Sequence, residues 1–287
     1  MSENLRGAML MALAMAGFSL EDMFIKLLAD ALPVGQILVL LGVVGALVFG
    51  LIAHRKGQPL VTPLLLTRAV IIRNLSEMIG TIGFVLGFVL ASLATATAIL
   101  QSAPLLVTLG AVLFLGEKVG WRRWSAIAVG FLGVLLIVRP GMAGFEPASL
   151  LALIGVFGLA GRDLATRAIP REVSSYQLSS WAFAIIVPAG LFLMLVMGEA
   201  PVAPSPIEWA TLAVAMGVGV IAYYALVASM RLGELSFVTP FRYTRMLFAL
   251  IVAVLVFGER PDALTLIGSA IIVAAGLFSL WRETRVA

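Results

Sequence analysis

Cysteine is absent from this 287-residue sequence. That excludes disulfides, thiolate metal sites, iron–sulfur clusters and cysteine nucleophiles. Histidine is nearly absent: with His54 alone, zinc sites built from several imidazoles are excluded and a serine–histidine triad is disfavoured. Charge is scarce as well. Only 12% of residues are charged, against the ~25% that soluble domains carry to face water. Apolar residues fill the difference, at 62% of the chain and a mean hydropathy of +1.12. The net charge of +4 does not point to nucleic acid. The basic residues stand singly between apolar runs, where they orient a chain in a bilayer. The composition predicts an integral membrane protein whose partner surface is the lipid bilayer.

A helix needs about 20 apolar residues to cross the hydrocarbon layer. Ten stretches qualify: 5–30, 34–53, 67–90, 94–115, 121–138, 148–168, 176–197, 207–230, 235–257 and 263–281. The alternating pattern of a membrane barrel is missing, so the expected fold class is all-α with ten transmembrane helices. With a cytoplasmic N-terminus, the inside segments hold Arg6, Arg55, Lys56, Lys118, Arg122, Arg123, Arg171, Arg231, Arg282 and Arg285, and the outside segments only Arg139 and Arg260. That bias predicts both termini in the cytoplasm. The first span carries Glu21 and Asp22 and lacks a small-residue cleavage site, so it is expected to stay rather than be removed as a signal peptide. No soluble domain is expected at either end.

The chain also resembles itself. LGAVLFLGEKV at 109–119 lies over IVAVLVFGERP at 251–261, an offset of 142 residues. Asp22 and Lys26 in span 1 fall on Asp163 and Arg167 in span 6 at an offset of 141, and Gly133 falls on Gly276 at 143. The halves, 1–141 and 145–287, hold five spans each. Because five is odd, equivalent helices cross in opposite directions, which is the inverted-repeat arrangement that permits alternating access to a central cavity.

Ionisable side chains at bilayer depth are costly and usually face an interior cavity. They concentrate in span 1 (Glu21, Asp22, Lys26), span 3 (Arg73, Glu77), span 6 (Arg162, Asp163) and span 9 (Arg242, Arg245). Span 4 adds Gln101, Ser102 and Pro104, span 8 Tyr223 and Tyr224, and span 9 Pro240 and Tyr243. Proline opens a helical backbone where it lines a cavity. Asp22 with Lys26, Asp163 with Arg167 and Arg73 with Glu77 are spaced i, i+4 and can neutralise one another structurally. Arg242 and Arg245 have no acidic neighbour in their own helix, which makes them candidates for a substrate carboxylate. Tyr223, Tyr224 and Tyr243 are candidates for its side chain, and Gln101 and Ser102 for its ammonium. Glu21, Asp22 and Glu77 are carboxylates able to carry a proton, and Asp163 completes the cavity set. Gly83, Gly87, Gly155, Gly158 and Gly161 are read as close helix packing. Glu117 and Glu259, at helix ends, are read as tying loops.

PLLVTLGAVLFLGEKV (104–119), FRYTRMLFALIVAVLVFGERPDALTLIGSAIIVAAGLFSLWRE (241–283) and GFSLEDMFIKLL (17–28) together resemble the drug/metabolite transporter superfamily, in its ten-span EamA-type form. Met246 stands where many members have proline. The resemblance covers essentially the whole chain. It implies two inverted five-helix repeats, a small organic substrate, no cofactor, no metal and no catalytic residues. It also implies a bacterial inner-membrane location, with exporters of the YddG amino-acid type among the relatives. The expected function is export of small metabolites, amino acids foremost; uptake or facilitated diffusion of another metabolite is the alternative. Protons are the candidate coupling ion, and monomer and homodimer both remain open. A membrane-embedded enzyme is disfavoured, since the sequence contains no GxGD, HExxH or GxSxG.

Overall fold

The structure is a computed structural model and describes residues 3–116, 120–142, 144–170, 172–232 and 235–284. Glu117, Lys118, Arg171 and Arg285 lie outside the described residues, as do the side chains of Arg123, Arg167, Arg231 and Arg282. No β-strand occurs among the described residues. The apolar runs form α1 (Glu3–Leu28), α2 (Val34–Arg55), α3 (Arg68–Leu90), α4 (Leu93–Leu100), α5 (Ala103–Leu115), α6 (Trp121–Val138), α7 (Ser149–Arg167), α8 (Ser175–Met197), α9 (Pro206–Leu232), α10 (Leu235–Val238), α11 (Thr244–Leu255) and α12 (Ala263–Thr284). Seven described segments are long and apolar enough to cross a membrane, α4 and α5 together making one of them, and α6 and α12 contain shorter apolar stretches.

Two spans are broken. α4 stops at Leu100 and α5 starts at Ala103, with Pro104 in its first turn. Pro104 has no N–H to donate to the carbonyl of Leu100, four residues back, so the helix turns there instead of continuing. In the second half a 3₁₀ segment, Thr239–Tyr243, separates α10 from α11, again with proline (Pro240) in its first turn. The fourth span of each half is therefore interrupted, and the two breaks touch: the Gln101 side-chain amide donates to the Tyr243 carbonyl at 3.0 Å.

The most extensive helix contacts all join one half to the other: α3 with α7, α2 with α8, α1 with α9, and α6 with α12. Under an offset of 141–143 residues the first and third of these exchange, and the other two map onto themselves. The packing is thus a pseudo-twofold arrangement of two inverted repeats. Its contacts repeat residue by residue. A Cβ on Gly17 would lie 2.7 Å from that of Ala222; the equivalent residues, Gly158 and Gly80, are likewise pressed together. The Gln36 side chain donates to the Val202 carbonyl at 2.7 Å, and the equivalent Gln177 donates to that of Pro59 at 2.6 Å. Small residues permit such approach where no solvent drives helices together. Gly83 and Gly155 do the same, since a Cβ on Gly83 would stand 2.6 Å from the Gly155 nitrogen.

The main apolar core, with Ile25, Leu38, Phe88, Ile99, Val156 and Ile272 among its buried members, spans both halves. The outer surface is apolar too: Leu47, Leu195 and Leu255 are exposed. A shell of that kind is matched to hydrocarbon rather than water.

Candidate functional site

Charges gather in the bundle interior in two groups. In the first, α3 and α7 face each other closely because glycines line their contact. That brings Glu77 within 3.0 Å of Arg162, while Arg73 lies 3.4 Å from the other Glu77 oxygen. Arg162 also holds Asp163 at 2.8 Å. Arg242, from the 3₁₀ segment, approaches Asp163 only to 3.7 Å, and its side chain is 33% exposed. Arg73 and Glu77 are buried, whereas Arg162, Asp163 and Arg242 keep part of their surface open. Tyr223 of α9 lies beside this group and packs against Phe18, Phe49 and Phe183.

In the second group, Arg245 of α11 donates to Asp22 of α1 at 2.7 Å. Its guanidinium sits between the rings of Phe18 and Phe84, 5.3 and 5.2 Å from their centroids, a cation–π arrangement on both faces. Glu21, next along α1, rests its carboxylate against Gly219 of α9.

The candidate residues divide accordingly. Glu77, Asp163, Tyr223 and Arg242 fall in the first group, and Glu21, Asp22 and Arg245 form a neighbouring set. Gln101 and Ser102 are buried, with Gln101 engaged by the Tyr243 carbonyl and the Ser102 hydroxyl donating to the Ile99 carbonyl at 2.7 Å. The Tyr243 ring is buried with its hydroxyl against Gly276, and Tyr224 is exposed on the outer side of α9. One expected pair is corrected. Asp22 pairs with Arg245 and not with Lys26, because Lys26 reaches past the end of α1 to Glu259. Arg245 therefore does have an acidic partner, supplied by another helix. The Asp163–Arg167 pair lies outside the described residues.

One end of the bundle is tied by a cluster that the sequence only hinted at. Glu259, just beyond α11, accepts from Lys26 at 2.8 Å, from the Ser92 hydroxyl at 2.6 Å, and from the Leu93 and Ala94 N–H groups at 2.9 and 3.1 Å. Its carboxylate thus caps the first turn of α4, where free N–H groups favour an anion. Lys26 also donates to the Ala91 carbonyl at 3.0 Å. Burial pushes the Glu259 carboxyl up, but the donors from Lys26, Ser92, Ala94 and Leu93 outweigh it and hold it below the ordinary glutamate range. A crevice of about 600 Å³ opens beside this plug, lined by Lys26, Ser92, Phe145, Glu146, Phe257 and Glu259 among others. At the same end Arg139 pairs with Asp262 and donates to Thr265 at 3.2 Å, clamping α6 to α12. That guanidinium, with the Thr265 N–H, holds the Asp262 carboxyl below its usual range. The repeat of Glu117 at Glu259 was the signal available in sequence; the part played by Ser92 had none.

Among the described residues no group of three or more His, Asp or Glu side chains is placed to hold a metal ion. The interior instead gathers side chains of both charge signs, with aromatic rings packed beside them. Paired charges of this kind suit recognition of a small charged solute.

Comparison with known proteins agrees with that chemistry. A solved crystal structure aligns over 96% of this chain and 98% of its own, with a TM-score of 0.57 at 19% identity, which speaks to the fold. The S-adenosylmethionine uptake transporter of Rickettsia felis is 29% identical over 215 residues, covering 75% of this chain and 72% of the relative. The riboflavin transporter of Vibrio cholerae is 31% identical over 188 residues, covering 66% and 62%. The pseudopaline exporter CntI of Pseudomonas aeruginosa is 26% identical over 277 residues, covering 94% of each chain. The profile of the EamA-like transporter family matches twice, at residues 5–139 and 147–281. This multi-pass membrane protein is a transporter, and it belongs to the EamA-like transporter family.

Proposed function

We propose that the protein exports small zwitterionic metabolites, amino acids foremost, across the bacterial inner membrane, with both termini in the cytoplasm. The observation that carries this reading is Arg242, a cation in the interior that is one-third exposed and whose nearest acid stays at 3.7 Å. A guanidinium left so loosely paired has donors to spare for a carboxylate, and the fork geometry of arginine suits that group. With the N-terminus inside, the Lys26–Glu259 plug lies on the outer side and the charged interior faces the cytoplasm. Alternating access would come from the halves 1–141 and 145–287 rocking about their shared contacts, with protons as the coupling ion.

The test is efflux from proteoliposomes loaded with a mixture of amino acids, S-adenosylmethionine and riboflavin, each quantified by mass spectrometry against protein-free vesicles. Selective loss of amino acids supports the reading, and an imposed pH gradient tests the coupling. Loss of S-adenosylmethionine or riboflavin alone overturns the amino-acid assignment. Uptake is the second reading, favoured by the Rickettsia felis relative, which is an uptake transporter. Assaying both directions decides between them.

A further inference from the structure

We propose that Glu21 is the subsite for the positively charged nitrogen of the transported solute, with Arg242 taking its carboxylate. This rests on the transport reading above and assigns the second pole of the same charged interior.

The interior holds four acids and four arginines. Three of the acids have guanidinium partners: Asp22 with Arg245 at 2.7 Å, Glu77 with Arg162 at 3.0 Å and Arg73 at 3.4 Å, and Asp163 with Arg162 at 2.8 Å. Glu21 accepts no hydrogen bond or ion pair among the described residues. Of the arginines, Arg242 alone has no partner closer than 3.7 Å. One anion and one cation are therefore left over. A solute with one charge of each sign completes both.

The repeat shows that the loose end at Glu21 is particular to one half. An offset of 141–142 residues carries Glu21 onto Arg162 and Glu77 onto Gly219. In the α3–α7 contact those positions make the Glu77–Arg162 ion pair. In the α1–α9 contact an acid faces a glycine, which supplies no side chain to answer it. Gly219 instead makes room: a Cβ there would stand 2.6 Å from the Glu21 carboxyl carbon.

The charged neighbours cannot take the place of a solute. Asp22, on the same helix, repels the Glu21 carboxylate. Arg245 of α11 is held by Asp22 and flanked by Phe18 and Phe84. Lys26 is drawn away to Glu259. From α3, Arg73 and Glu77 bind each other, and α2 carries no ionisable residue away from its last turn. The two poles share one wall. Phe18, one turn before Glu21, meets Tyr223 edge-on with ring centroids 6.4 Å apart. Tyr223 stands one turn beyond Gly219 and beside Arg162, whose partner Asp163 is the acid that Arg242 approaches. An ammonium offers three donors in any direction, and its bond to a carboxylate is of the stronger, charge-assisted kind.

The experiment is counterflow in proteoliposomes with two mixtures, the twenty proteinogenic L-amino acids and their N-acetyl derivatives, read species by species. N-acetylation removes the ammonium and keeps the carboxylate. The wild type is expected to exchange amino acids and reject their N-acetyl forms. Glu21→Gln should lower amino-acid exchange about tenfold or more, the scale of a lost charged hydrogen bond, and narrow the preference over N-acetyl forms. Gly219→Ala should do the same with the carboxylate present but displaced, so the result does not hang on one variant folding. Wild-type rates and preference in both variants overturn the assignment. So does a Glu21→Gln protein that loses only its pH dependence, because that marks a proton carrier. A wild type that exchanges nothing in either mixture overturns the amino-acid reading on which this assignment rests.

Discussion

Gln101 and Tyr243 stand 142 residues apart at equivalent positions in the two repeats, and they touch, the Gln101 amide donating to the Tyr243 carbonyl at 3.0 Å. A contact between equivalent residues lies on the pseudo-twofold axis. It also joins the two interrupted spans where each has surrendered helical hydrogen bonds to proline. Gln101→Leu should leave the buried Tyr243 carbonyl without this donor, at a cost of roughly 1–3 kcal/mol. Thermal unfolding in detergent checks it: a melting temperature equal to wild type would mean that the bond does not hold the breaks together.

Glu77 answers two arginines at once, Arg162 at 3.0 Å and Arg73 at 3.4 Å. Removing one member of a buried ion network strands the others, typically at about 3–5 kcal/mol. Glu77→Ala is therefore expected to reduce folded yield and melting temperature more than Asp163→Ala, whose surroundings are more open. Equal effects would contradict the burial difference.

Gly155 lies tight against α3, where an added Cβ would run into the Phe84 nitrogen. Neither backbone can move aside for Gly155→Leu, so overpacking of at least ~1–3 kcal/mol is expected. Size-exclusion profiles should show aggregate. Gly217→Ala is the control, because nothing lies within 4 Å of a Cβ there.

The Lys26–Glu259 plug should loosen in acid. The Glu259 carboxyl is held below its ordinary value of 4.5. Its contribution is therefore complete above that value and is lost as pH falls through the lower value of the folded state. The native sequence contains no cysteine, so a single Ala94→Cys reports on opening without background. Ala94 is buried just beneath the plug. Its labelling by a membrane-impermeant maleimide at neutral pH should rise severalfold when Lys26→Ala is added; unchanged labelling would show that the plug does not seal this end. In the native pair, loosening of this end should set in only below the ordinary glutamate value of 4.5.

If Arg242 takes the substrate carboxylate, Arg242→Ala should raise KM about tenfold or more, with Arg242→Lys intermediate because lysine keeps the charge and loses the fork. Wild-type KM in both variants would move the carboxylate site elsewhere.

Sequence periodicity placed the helices well because each span is a long apolar run with a physical length to satisfy. The predicted 121–138 coincides with α6, and the expected breaks at Pro104 and Pro240 are present. Pairing was harder to read. Asp22 and Lys26 are spaced to meet on one helix, yet each finds a partner more than 220 residues away, Arg245 and Glu259. Spacing within a helix reports only which side chains share a face. It carries nothing about which neighbouring helix brings a competing charge. Ser92 was invisible for a related reason: its hydroxyl matters through a turn in the other half of the chain. The candidate set was legible as charge at bilayer depth, and its division into paired and unpaired members needed the fold.

Because the principal neighbours of α1, α2, α3 and α6 are α9, α8, α7 and α12, the chain cannot complete its packing as it leaves the ribosome. When the first five spans have been delivered, their glycine notches and arginines still await helices not yet translated. Assembly is therefore post-insertional and depends on the second half arriving in the same bilayer. A stalled or truncated product ending near residue 141 would present Glu77 without its Arg162 partner alongside bare helix grooves, a state that membrane quality control is suited to recognise.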